Sequence, residues 1–147
     1  MKVRVLLAAV PRPSNWAPLP HATDEIDCLT SIIPPQSVVA ASADRTRALR
    51  MGASADDVLD YLPSATVLHL ACHGYQDTRN ALNSGFVMSD RMLTVAHLMA
   101  LQLPNALLAF LSACETAKGD RAQPDQAVHL AAAMLFVGFK SVVGTMW

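Results

Sequence analysis

Charge is scarce in this chain: Asp, Glu, Lys and Arg make up 16% of its 147 residues, where a soluble domain ordinarily carries about 25%. Eleven basic and twelve acidic side chains leave a net charge of −1, and no basic run is denser than the spaced Arg45, Arg47 and Arg50. Without a basic face there is no electrostatic footprint for nucleic acid, so that class of partner is excluded. Cysteines are few and odd in number: Cys28, Cys72 and Cys114 lie far apart, which gives no disulfide framework and points to a reducing, cytoplasmic setting. Long apolar runs are missing too. The longest nearly uncharged stretch, residues 127–139, contains His129 and falls short of the ~20 residues that cross a bilayer, so no membrane partner is expected. At the N-terminus Pro11, Arg12 and Pro13 stop the apolar run 5–10 before it reaches the length of a signal-peptide core. No GxGxxG or GxxxxGK[ST] pattern occurs, so no nucleotide or other cofactor is expected.

What the chain has instead is apolar content, 52%, which rules out disorder and implies surfaces hidden on both sides of a sheet or against a partner. Its length suits one domain over 1–147. Residues 3–10 form a β-branched and aliphatic run closed by prolines, the pattern of a strand buried on both faces. A helix is expected over 22–31, with Thr23 as cap and Asp24 and Glu25 in its first turn. A short strand is expected at 38–41 and a helix at 54–61, where Ser54 and Asp57 stand in a capping arrangement. A buried strand at 66–71 runs into Cys72-His73-Gly74. Then follow a small hairpin (85–88 and 92–93), a helix over 94–101, a strand over 106–111 ending at Ser112-Ala113-Cys114, a helix from Asp125 to about Val137 stopped by Gly138, and a strand over 141–145. Strand and helix alternate, the pattern of an α/β domain with a mainly parallel sheet and right-handed crossovers.

In such a sheet chemistry collects at the carboxyl ends of the strands. His73 follows the third expected strand and Cys114 the fourth, 41 residues later, so one crossover places the two strand ends side by side, about 4.8 Å apart. That is the arrangement a Cys-His nucleophilic pair needs. His73 would take the thiol proton and later protonate the leaving amine, and Cys114 would form the acyl-enzyme. Gly74 has no side chain, so its N–H can approach a developing oxyanion, with the N–H of Cys114 as second donor.

Other candidates fit less well. His69 and His73 would share an ion on a helix, but four residues of strand span about 13 Å, so no metal site is expected. Cys72 falls on the opposite side of the strand end from His73 and reads as packed. Cys28 reads as core on the first helix, His97 and His129 as structural residues on helices, and His21 as an exposed loop residue. Cys114 and Arg121 are spaced wrongly for a phosphate-binding loop, and Glu115 and Asp120 beside them disfavour an anion.

The segments Ser64-Ala65-Thr66-Val67-Leu68-His69-Leu70-Ala71-Cys72-His73-Gly74 and Leu111-Ser112-Ala113-Cys114-Glu115-Thr116 resemble the two signature segments of the CHAT domain, a caspase-like cysteine peptidase family related to separases and caspases. Asn83-Ser84-Gly85, Leu103-Pro104-Asn105-Ala106 and Ser141-Val142-Val143-Gly144-Thr145-Met146-Trp147 resemble it as well. The resemblance implies a caspase-like three-layer α/β/α fold, His73 and Cys114 as dyad, Gly74 at the oxyanion position, and proteolysis of protein or peptide substrates inside larger signalling, cell-death or defence chains. It also implies further elements after Trp147, so the chain is expected to lack the C-terminal portion of the domain. In caspase-like enzymes a pocket residue two positions before the nucleophile can select the P1 side chain. That position is the neutral Ser112, while Asp77, Asp90, Glu115 and Asp120 are loop acids that would favour a basic P1 residue. The competing reading is an inactive caspase-like module for self-association or docking, motivated by the high apolar fraction.

Overall fold

A computed structural model describes residues 1–39, 43–112 and 126–144, the side chains of 126–129 excepted. Its centre is a four-stranded parallel sheet in the order β1-β2-β6-β7, formed by Val5–Ala9, Val67–Ala71, Leu108–Ser112 and Ser141–Gly144. β1 is buried along its whole length and β2 nearly so, because helices cover both of their faces. On one face lies α1 (Ala22–Ile32), which packs Ala22 and Ile26 on Val5, Leu7, Ala9 and Ala71. The other face carries the main core, where Leu6, Ala8, Val10, Leu68, Leu70, Ala109 and Leu111 meet Leu49, Val58, Leu98, Leu130 and Met134. Those last five belong to α2 (Ala43–Gly52), α3 (Ala55–Tyr61), α4 (Val95–Met99) and, for Leu130 and Met134, α5 (Gln126–Val137). The result is the expected α/β/α sandwich around a parallel sheet.

A second, antiparallel sheet, β3 (Gly74–Tyr75), β4 (Gly85–Val87) and β5 (Met92–Thr94), continues directly from β2. It contains the expected hairpin. Gly85 is required there, since a Cβ at this position would lie 2.1 Å from the carbonyl oxygen of Leu93. Gly138 ends α5 at φ +127°, a conformation that side-chain-bearing residues rarely adopt.

Several local expectations are corrected. Thr23 does not cap α1; the cap position is His21, with no side-chain bond to the helix. The expected strand at 38–41 reduces to one bridge from Val38 to Val5, because Pro34 and the 3-10 turn Pro35–Ser37 leave too little extended chain, and residues 40–42 lie outside the described set. α2 is an added helix: its arginines give no apolar stripe, and only Leu49 is buried. Cys28 is exposed rather than core, because α1 turns Ala22 and Ile26 inward instead. The Ser54 cap is present, its Oγ accepting from the Asp57 N–H at 3.0 Å. His97 completes a capping box with Thr94 at the start of α4. Among the described residues no helix is long and apolar enough to cross a membrane.

Candidate active site

The parallel pairing of β2 with β6 sets Ala71 opposite Ser112. β2 and β6 thus end at the same level, at the carboxyl edge, and in sequence His73 and Cys114 each follow these partners by two residues. Cys114, Glu115, Asp120, Arg121 and Asp125 lie outside the described residues, as do the side chain of His129 and Trp147.

His73 is buried, 3% exposed, and held from one side by the loop between β1 and α1. Its Nε2 lies 2.6 Å from the carbonyl oxygen of Ala17. A carbonyl only accepts, so Nε2 carries the proton and Nδ1 is the basic nitrogen. Trp16 stacks on the imidazole, with centroids 5.5 Å apart and planes 30° apart, and meets Tyr75 edge-on at 6.3 Å. Two local features deliver this pair. Asn15 takes φ 62°, a left-handed turn that asparagine tolerates better than most residues, and Pro18 confines Ala17 to extended backbone. Trp16 also lines a cleft of about 670 Å³ with Pro11, Pro13, Pro18 and Pro20.

Gly74 lies in β3 opposite Phe86. The carbonyl of His73 accepts the Val87 N–H at 2.9 Å, so residue 73 faces β4, and by the alternation of an antiparallel ladder the N–H of Gly74 points away from it. Cys72 is 2% exposed and packed in the main core, on the opposite side from His73.

A second polar group sits beneath the carboxyl edge on the α1 face. Glu25 reaches from α1 to both central strands: its Oε1 lies 2.6 Å from His69 Nε2, and its Oε2 accepts from Ser112 Oγ at 2.7 Å. The His69 ring stacks on Phe110 at 4.8 Å. Burial holds the His69 pKa below the ordinary histidine value, although the Glu25 charge and hydrogen bond pull it up. The contact is therefore a neutral imidazole N–H donating to a carboxylate rather than an ion pair. Glu25 and His69 carry no sequence signal for this role; one looks like a first-turn helix acid, the other like an inward strand residue.

The two described loop acids have structural tasks. Asp77 Oδ1 accepts the N–H groups of Arg79 and Asn80, bonds that lower its pKa. Asp90 Oδ1 accepts those of Ala55 and Arg91. Among the described residues no group of three or more His, Cys, Asp or Glu could hold a metal ion.

The family model of the CHAT domain matches residues 2–147. The chain belongs to the CHAT family. CHAT domains are caspase-like and peptidase-related, and the parallel sheet flanked by helices agrees with that membership. No curated protein matches this CHAT domain.

Proposed function

We propose that this CHAT domain is a cysteine endopeptidase acting on protein or peptide substrates through a His73/Cys114 dyad. The observation that supports it most is the Ala71 to Ser112 register, which ends β2 and β6 at one level, each two residues short in sequence of His73 and Cys114. His73, its Nε2–H engaged by Ala17, takes the Cys114 thiol proton at Nδ1. The thiolate attacks the scissile carbonyl, and the oxyanion is received by the N–H groups of Gly74 and Cys114. The leaving amine takes its proton from His73, and water then hydrolyses the acyl-enzyme. The reading extends to an intracellular signalling, cell-death or defence role, as expected for this family. Labelling of Cys114 by peptidyl acyloxymethyl ketones tests it. Cys114→Ala and His73→Ala should each abolish labelling, whereas Cys28→Ala and Cys72→Ala should not. Labelling that persists in Cys114→Ala overturns the reading.

A second reading, a docking or self-association module without activity, draws on Phe136. That ring is 84% exposed and rims an apolar cavity of about 350 Å³ together with Leu82 and Met99. Monomeric behaviour at micromolar concentration in light scattering would remove its self-association form.

A further inference from the structure

Ser112 is neutral, but it does not leave its position neutral, because its hydroxyl is bonded to Glu25. A carboxylate borne by α1 is thereby fixed beside the last residue of β6. Ser112 precedes Cys114 by two residues, a span of chain that reaches at most about 7 Å, which is also the reach of an extended lysine or arginine side chain. The two hydrogen bonds use one acceptor direction on each carboxylate oxygen and leave others open, and the Glu25 side chain is 34% exposed. Among the described residues its one ion-pair partner is His69, whose pKa burial holds below the ordinary histidine value.

The same face offers a way in. α1 packs on β1 and β2, whereas on β6 and β7 the residues pointing to that side are less covered among the described residues: Leu108 and Phe110 are half-buried and Val143 is 45% exposed. A long cationic side chain coming from the strand ends would lay its aliphatic stem along apolar surface and put its charge at Glu25. An acidic side chain would be repelled there, and a short apolar one would leave the carboxylate without a cation.

We infer that Glu25, held in place by Ser112 and His69, is the specificity-determining acid that selects a lysine or arginine at P1. This inference rests on the dyad reading for the position of the scissile bond.

The test compares Cys114 labelling by acyloxymethyl ketones that differ only at P1: arginine, lysine, leucine, and citrulline, the uncharged isostere of arginine. In the native protein, arginine and lysine probes should exceed citrulline by about 30-fold or more, the scale of losing one partner of a desolvated charge pair. In Glu25→Gln the arginine-to-citrulline ratio should collapse towards one. A native ratio near one, or an unchanged ratio in Glu25→Gln, overturns the inference while leaving the dyad standing. If no probe labels Cys114, the peptidase reading fails, and binding of N-acetyl-L-arginine amide, followed by NMR, decides about Glu25 separately. Binding that shifts Glu25 and Ser112 resonances, and is absent for the citrulline amide, supports the acid pocket. Equal binding of both amides, or none, overturns it.

Discussion

His73 Nε2 and the carbonyl oxygen of Ala17 lie 2.6 Å apart, across 56 residues of sequence. With Trp16 stacked on the ring, this contact fixes the imidazole in both tautomer and tilt. Replacement of Trp16 by alanine should therefore slow Cys114 labelling by roughly 10- to 100-fold, the usual cost of a misplaced reacting group. Trp16→Phe, which retains a stacking ring, should lose no more than about threefold. Labelling rates and melting temperatures measured together separate this orienting effect from loss of the fold.

The turn that presents Trp16 and Ala17 depends on Asn15 at φ 62°. Asn15→Gly should be tolerated, whereas Asn15→Val should cost about 1–3 kcal/mol of stability, because a β-branched residue resists the left-handed region. Urea denaturation of the two variants gives the comparison. Equal stabilities would show that the turn relaxes.

Stability should fall with acidification through His69. Burial holds its folded-state pKa below the ordinary 6.5, so the unfolded chain takes up the proton first. The stabilisation is complete above about pH 6.5, declines as the pH drops from there towards the folded value, and changes no further below it. His69→Gln keeps a donor for Glu25 but does not titrate. It should flatten this part of the profile in melts recorded between pH 7.5 and 5.

Cys28 is exposed and Cys72 is 2% exposed. Iodoacetamide should modify Cys28 in the folded protein and Cys72 only after denaturation, as peptide mapping would reveal. Rapid modification of Cys72 under native conditions would contradict its packing in the main core.

Gly85→Ala should be among the most damaging single-methyl changes, at about 2 kcal/mol or more. The added carbon would stand 2.1 Å from a β5 carbonyl oxygen that belongs to the backbone and cannot swing away. Calorimetry of the variant checks it.

The layer order was legible because each central strand is an apolar run bounded by turn residues, and the alternation with helices forces a parallel sheet. His73 and Cys114 stood out because chemically capable residues ended two such runs. Glu25 could not be read in the same way. Its partners lie 44 and 87 residues away, and nothing local distinguishes it from Asp24, the neighbouring first-turn acid. α2 escaped for a different reason: with Leu49 as its one buried residue, helix propensity and its neighbours decide it, not periodicity.

The orientation of His73 is supplied by the main chain at residue 17, and with Pro18 still following, other side chains at that position would present the same oxygen. Alanine scanning is blind to such a contact, and homologues could vary freely at this position without losing it. Beyond the Trp16 ring and the turn at Asn15, what the site demands of the 11–20 loop is length and path. A one-residue deletion there should disarm the imidazole although every side chain named in the chemistry is still present.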